Sequence, residues 1–575
     1  MIVRTLTTDI LILGAGGAGL FAALHAKKAN PDLDVVIAVK GLLGKCGCTR
    51  MVQGGYNVAL SPQDSIERHF MDTIEGGGWL NDQDLAWLLV ETAPKRIREL
   101  ETELGCFFDR NPDGTVHQKA FAGQTFDRTV HKGDLTGIEI INRLAEQVWR
   151  RDVRRLEDHR ALDFIPSVDG SELAGVLMLD MRTGEPLLVR AGATLLATGG
   201  GPTMYRYHTP SGDKSCDGLA MALRAGLSLR DIEMVQFHPT GLLAGEGTRM
   251  TGTVLEEGLR GSGGYLTDAK GERFMFDYDP RGERATRDIV SRSIMDRIRK
   301  DHASPHGGVY IEMGHLGPER VRREFKGMVE RCEDCGFDLA AGRVEVIPTA
   351  HYMMGGVVFS ADCTTELPRL YAAGEDTGGV HGANRLGGNG VANSTVYGGI
   401  AGDIMGARTR HNGALPDPDS SAVDVAYARA FTPLGRKPGE LPAMRERLYG
   451  IMWDDVGILR SAESLARGKA ALDALSRDIA ECGVDDSSRR YNLTWMDRLN
   501  LENLTLVSRA IAAAADFRRD SRGAHFREDF PQASDLEMSA YTMVRLVDDS
   551  LKVATTPVAF TRVRPGQSLL HQAAE

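Results

Sequence analysis

The chain has 575 residues, 42% of them hydrophobic and 26% charged, with a formal net charge of -11 from 68 basic and 79 acidic side chains. That length exceeds what one hydrophobic core organises, so several packed units are expected, and the acidic balance excludes a general nucleic-acid binder. No stretch nears the roughly 18 uninterrupted apolar residues of a membrane-spanning helix, so membrane association is expected only indirectly, through partners.

The N-terminal MIVRTLTTDILILGAGG runs straight into a strand-and-glycine pattern without a charged leader and cleavage site, and reads as cytoplasmic. Asp9 to Leu13 is a short apolar strand, Leu20 to Lys28 has helical character, and Val35 to Val39 is a second buried strand, together a βαβ unit. Between strand and helix, Gly14, Gly16 and Gly19 form G-x-G-x-x-G: a tight turn, a close approach to pyrophosphate, and close helix-to-sheet packing. The helix start, with Gly17 and Ala18, offers free N–H groups to the phosphates. The second strand ends Ala38, Val39, Lys40, lacking the carboxylate with which an NAD site holds ribose.

A strand-like run from Gly192 to Ala197 ends in TGGG at 198, and another from Pro368 to Ala373 leads into GEDTGGVHGANRLGGNG. Three widely separated glycine segments, each after an apolar strand, suggest one nucleotide-binding domain interrupted by insertions. The boundaries expected are a first part of that domain over 1–236, a capping lobe over 237–347 with a helix from Pro318 to Glu333, a second part over 348–410, and a helical domain and tail over 411–575. Helical periodicity in the last covers Met444 to Asp455, Ser461 to Leu475 and Leu501 to Arg519, after a linker at Pro416 to Asp419. The eight cysteines have no framework spacing; Cys332 and Cys335 have no second pair to complete a zinc site, and no metal is expected.

Longer strings make the reading specific: GAGGAGL at 14, QGGYNVAL at 53, RTVHKGDLTG at 128, QFHPTG at 236, EEGLRGSGGYL at 256, RDIVSRS at 287, HYMMGG at 351, YAAGED at 371, GANRLGGNG at 382, MWDDVGILRS at 452 and SRGAHFREDFP at 521. In order and spacing, across almost the whole chain, these resemble the succinate dehydrogenase, fumarate reductase and L-aspartate oxidase flavoproteins. The resemblance implies an α/β fold: a Rossmann-like FAD-binding domain interrupted by an α+β capping domain, then a C-terminal helical domain. It implies FAD held by Gly14, Gly16, Gly17, Ala18, Gly19, Lys40, Cys48, Thr49, Gln53, Gly54, Gly55, Thr198, Gly199, Asp217, Glu375, Arg385, Gly388, Gly390 and Val391. Asp217 lies in SCDG, where the family reads TGDG, a change that bears on that contact.

For chemistry, the resemblance implies that His351 and Arg385 hold one substrate carboxylate and His238 the other, that Arg287 donates or accepts the proton, and that Glu257 and Arg260 relay it. It also implies an iron-sulfur protein as partner, since the chain lacks cysteine clusters for such a centre of its own. Three departures matter. Gly47, Cys48, Thr49 stand where covalent members read Ser-His-Thr, which rules out a histidyl-flavin bond there and implies non-covalent FAD. Glu256 stands where the family has a hydroxyl that meets substrate carboxylate, which suits a substrate bearing an amine or hydroxyl. Phe121, in FAGQT, stands where L-aspartate oxidases carry a glutamate and resembles the FGGQS-like string of succinate dehydrogenases, which weakens the aspartate reading and leaves an aspartate-oxidase-like activity as the alternative. A non-catalytic flavin-binding module would not need this full histidine, arginine and glutamate set.

Overall fold

In the structure, a computed structural model, residues 3–245, 248 and 250–570 are described. The strand Arg4–Leu13 buries Ile10 to Leu13, the helix Gly17–Ala29 follows the glycine turn, and Val35–Ala38 pairs in parallel with the first strand, Ile10 opposite Val35. These strands belong to a seven-stranded sheet in which Arg154–Leu156, Val35–Ala38, Arg4–Leu13, Glu185–Leu196, Leu173–Asp180 and His159–Pro166 lie in that order, with Leu370–Ala372 also paired to Glu185–Leu196.

One detail of register positions everything else. Arg4–Leu13 and Leu370–Ala372 both run parallel to Glu185–Leu196, and Leu13 and Ala372 each sit opposite Leu196. The three glycine segments therefore emerge at one level from the carboxyl ends of three parallel strands, the place where open α/β sheets bind ligands. Behind them the helix Asn389–Arg408 packs onto Gly17–Ala29 through glycines four apart: a Cβ at Gly398 would lie 2.5 Å from Ala18 O and one at Gly402 2.3 Å from Ala22 O.

A second, antiparallel sheet of four strands orders Val235–Leu242, Arg343–Met353, Val309–Glu312 and Tyr265–Thr267. It has its own apolar core, including Leu242, Leu259, Val290 and Val346, and carries the helix Arg287–Arg299 against its first strand. The single helix expected from Pro318 to Glu333 is two, Pro318–Glu324 and Lys326–Glu333. Phe325 leaves helical geometry between them (φ -124°, ψ 38°) and packs half-buried on this second core.

The C-terminal region contains the helices Ser420–Phe431, Leu441–Gly450, Ala462–Glu481 and Leu493–Phe517. Ser461 and Ser464 form a capping box at the start of the third, and Asn492 caps the fourth through Trp495 N–H at 2.8 Å. This region is not wholly helical: Ala540–Val547 and Ser550–Pro557 form a hairpin that pairs with Leu229–Arg230 of the nucleotide-binding part. Its turn, Asp548 and Asp549, has φ of 47° and 58°, the left-handed pair of a two-residue hairpin, but without the glycine that signals one in a sequence. Among the described residues no helix is long and apolar enough to cross a membrane.

Candidate active site

A cavity of about 550 Å³ opens where the glycine segments converge and continues under the second sheet. Gly14, Gly16, Gly17, Ala18, Lys40, Cys48, Thr49, Gln53, Gly54, Gly55, Thr198, Gly199, Asp217, Glu375, Gly388, Gly390 and Val391 line it, and so do Phe121, His238, Glu256, Glu257, Arg287, His351 and Arg385. Two expected residues stand behind the wall instead. Gly19 is packed where a Cβ would come within 2.0 Å of Gly14 O, a helix-to-strand contact, and Arg260 is fully buried behind Glu257.

The nucleotide end is built from backbone. Gly14 has φ of +107°, and a Cβ there would lie 2.1 Å from Ala197 O, so no L side chain fits the first turn. The helices Gly17–Ala29 and Asn389–Arg408 follow Gly16 and Gly388, neither of which supplies a side-chain cap, so that, beyond Gly17 N–H and Asn389 N–H, which are already bonded, their first turns present donors suited to phosphate. Thr49 Oγ1 accepts from Gly17 N–H at 3.0 Å and fixes that turn. At the far end Asp217 takes Lys40 Nζ at 2.8 Å and Arg160 at 2.7 Å; burial opposes its charge, but Arg160 and Lys40 hold its carboxyl far below the usual range. Glu375 accepts from Met353 N–H at 3.0 Å, and burial pushes its carboxyl up to about 7. A first turn closed to a Cβ at Gly14, two helix starts without side-chain caps at Gly16 and Gly388, and a cavity lined from the glycine segments to the guanidiniums fit FAD. Gly14→Ala is accordingly expected to yield protein that purifies with little or no FAD. Full flavin occupancy, read as the flavin-to-protein absorbance ratio, would contradict this cradle.

At the other end two guanidiniums meet. Arg287 Nη1 and Arg385 Nη2 donate to the same atom, Gln236 Oε1, at 2.9 and 3.0 Å. Glu257 accepts from Arg287 Nη2 at 2.6 Å and from Arg260 Nη2 at 3.1 Å, so one buried carboxylate serves two arginines. Arg260 continues to the Glu283 carbonyl at 2.7 Å, and the Glu283 carboxylate meets the half-exposed Arg273 at 2.6 Å. Burial and the neighbouring Arg287 bring the Arg385 guanidinium down to about 10, still protonated at neutral pH, and its buried Nε has no acceptor among the described residues.

His238 and His351 face each other with ring centroids 5.5 Å apart. Burial, with Arg287 close to both, pushes both imidazoles well below the ordinary histidine range, so they are neutral hydrogen-bonding groups. Thr240 N–H donates to His238 Nδ1 at 3.3 Å, which puts the proton of the neutral ring on Nε2. The Thr209 hydroxyl holds His351 Nδ1 at 2.8 Å.

Glu256 does not confront the cavity as a free anion. Lys119 Nζ lies 3.2 Å from its Oε1, and burial pushes its carboxyl up against the pull of that lysine. Neither Lys119 nor Gln236, Arg160, Thr209 or the cavity-lining Arg331 stands out as a site residue in the sequence. Gln236 opens the string QFHPTG, but no local spacing reveals that its amide would join two arginines. Away from the cavity, Asp268, Glu272 and His302 bring ligand-type atoms within 4.8 Å of one another, but Arg297 already answers both acids, at 2.7 and 3.1 Å.

Three parallel strands delivering glycine turns to one end of a cavity, with buried guanidiniums closing the other, define a flavoprotein oxidoreductase with an anion-binding substrate end. The FAD binding domain family matches residues 9–391, and the fumarate reductase flavoprotein C-terminal family matches residues 445–569. The chain is 40% identical to one component of the fumarate reductase (CoM/CoB) of Methanothermobacter marburgensis, over 91% of this chain and 94% of that one. It is 36% identical to L-aspartate oxidase of Streptomyces coelicolor, over 96% and 94%. It superposes on a variant of quinol fumarate reductase FrdA of E. coli with a TM-score of 0.92 and 30% identity, covering 98% of this chain and 99% of that one. The chain belongs to the fumarate reductase and succinate dehydrogenase flavoprotein family and is an FAD-dependent oxidoreductase acting on CH–CH groups.

Proposed function

We propose that this protein interconverts a saturated and an unsaturated small dicarboxylate of the succinate and fumarate type, with Arg287 as proton donor or acceptor. The observation that carries this is the convergence of Arg287 and Arg385 on Gln236 Oε1: two buried guanidiniums sharing one neutral acceptor leave donors and positive charge for a carboxylate. Arg385 and His351 hold one carboxylate, and His238, as a neutral Nε2–H donor, meets the other. When bound, FAD supplies the hydride chemistry at its N5. Arg287 delivers the proton to the neighbouring carbon, or removes it in the reverse direction. Glu257 and Arg260 restore its protonation, and the contact of Arg260 with Glu283, itself paired to Arg273, supports an outward route. The cap excludes water from the reacting atoms, which strengthens every charge interaction within.

The test is to photoreduce the purified protein without oxygen and add small carboxylic acids one at a time. Fumarate-type acids are expected to reoxidise the flavin; if no unsaturated dicarboxylate does so, the proposal fails.

We propose further that FAD is held non-covalently. Burial, with Glu375 near, pushes the Cys48 thiol up to about 12, so the nucleophilic thiolate is scarce where a histidyl bond would otherwise form. Acid precipitation is expected to leave a colourless pellet and yellow supernatant; colour retained by the pellet would establish a covalent bond. Without the bond the flavin potential is lowered, which favours reduction of the unsaturated acid. A separate iron-sulfur protein is the proposed electron partner, since relatives named as flavoprotein subunits, such as that of Escherichia coli fumarate reductase, match nearly the whole chain. Oxidation of an amino dicarboxylate is the second reading, supported by Glu256 in the wall and by the similarity to the Streptomyces enzyme.

A further inference from the structure

Glu256 is an unusual element of a site that binds acids. Its side chain is 5% exposed and forms part of the cavity wall, one residue before Glu257, yet a carboxylate there would repel an incoming carboxylate. The structure resolves this through a residue outside the wall. Lys119 comes from the strand Gln118–Lys119, in the small three-stranded sheet that also carries Thr129–Val130, whereas Glu256 belongs to the capping part. Its ammonium reaches Glu256 Oε1 at 3.2 Å and Oε2 at 3.5 Å, and the same nitrogen lies 5.7 Å from the centroid of the Phe121 ring.

The carboxylate is turned toward Gly258, where an added Cβ would meet Oε1 at 2.6 Å. The charged groups that act on it most are Lys119, Asp134 and Arg331, and among the described residues Lys119 is the one side chain hydrogen-bonded to it. Thus the acid that would suit an ammonium group on the substrate is already occupied by an ammonium group of the protein. This argument rests on the functional reading above and sharpens its substrate class.

We propose that Lys119 is a specificity-determining positioning residue: by occupying Glu256 it makes the cavity select dicarboxylates without an amine over amino dicarboxylates. Lys119 does this from behind the wall, through Glu256, and touches neither substrate nor flavin. Removing the lysine releases a buried carboxylate, whose most favourable partner in the cavity is then the α-ammonium group of an amino acid. Without the lysine, burial disfavours the Glu256 charge still more, so the carboxyl gains most from a ligand that brings its own ammonium group, which fumarate lacks. Selectivity here is set as much by the penalty on the wrong ligand as by attraction to the right one.

The test uses FAD-loaded full-length protein and reads dissociation constants for fumarate and for L-aspartate from the perturbation of flavin absorbance, without an electron acceptor. Wild type is expected to prefer fumarate. Lys119→Met is expected to shift the ratio of the two constants toward L-aspartate by about tenfold or more, the effect of one lost ion-pair partner at a partly buried site. Lys119→Arg should retain most of the wild-type preference. In Lys119→Met/Glu256→Thr the shift should disappear, because no carboxylate remains to be released.

An unchanged ratio in Lys119→Met overturns the proposal, as does an equal shift in the double variant, which would mean that Lys119 acts without Glu256. Should Lys119→Met fail to retain FAD, the comparison of Lys119→Arg with Glu256→Thr decides: Glu256→Thr must strengthen fumarate binding relative to Lys119→Arg, and an equal or weaker affinity overturns the idea. A wild-type protein that binds no dicarboxylate at all would overturn the functional reading itself, an outcome distinct from wild type binding fumarate and Lys119→Met keeping the same selectivity.

Discussion

Arg287→Ala is expected to lower kcat for dicarboxylate reduction by about 10²–10⁴-fold, the contribution of a positioned proton donor, with a smaller change in KM. The split follows from the geometry. Arg385, His238 and His351 still line the cavity and still offer donors to the substrate carboxylates, so binding persists after the loss of one guanidinium. What disappears is the guanidinium that, among the described residues, bridges Gln236 at 2.9 Å and Glu257 at 2.6 Å, the contact on which the proposed proton route depends. Arginine is an unusual acid because its pKa ordinarily exceeds about 12. In the proposed role it would act from a buried position, paired with the buried Glu257 carboxylate. Steady-state rates with an artificial electron donor decide the matter: a variant within tenfold of wild-type kcat would remove Arg287 from its role.

Glu257→Gln is expected to cost both activity and stability, the latter by about 3–5 kcal/mol, because it leaves two buried guanidiniums without their shared anion. Arg260 is fully buried and Arg287 nearly so, and neither can reach water to recover the loss. Burial alone would raise the Glu257 carboxyl, but Arg287 and Arg260 more than offset it and hold the group below the usual carboxylate range. A carboxyl whose folded pKa is depressed contributes stability that is present above its unfolded pKa of about 4.3 and is lost as pH falls through the folded value. Wild type should therefore lose part of its stability in acid below about pH 4.3, while Glu257→Gln, lacking the titrating group, should show a smaller loss over the same range. Denaturant unfolding midpoints measured from neutral pH downward test this. Parallel pH profiles for the two proteins would show that the Glu257 charge is not what neutralises the arginines.

Much of the architecture was legible in the chain because its signals are local. A strand of Ile and Leu followed by Gly14, Gly16 and Gly19 states a backbone requirement within a few residues, and the structure shows why: at +107° Gly14 admits no side chain. The same holds for the strands ending at Leu196 and Ala372, which run into the glycine segments at 198 and 374 and could be paired with the first by pattern, although their common level is a matter of register. Helix existence in the C-terminal region was readable from periodicity, whereas the hairpin Ala540–Val547 with Ser550–Pro557 was not, since Asp548 and Asp549 carry no glycine signal.

By itself, then, the sequence determined the fold class and the class of cofactor, and it named the arginines, histidines and glutamates that the structure brings to or just behind one cavity, because each is tied to a short stretch of backbone or a recognisable string. Only the tertiary structure decided which charges meet. Lys119 and Glu256 are 137 residues apart, Lys40 and Asp217 are 177 apart, and Gln236 and Arg385 are 149 apart. An ion pair depends on a few ångströms of separation and on exclusion of water, and neither is encoded in any window of neighbouring residues.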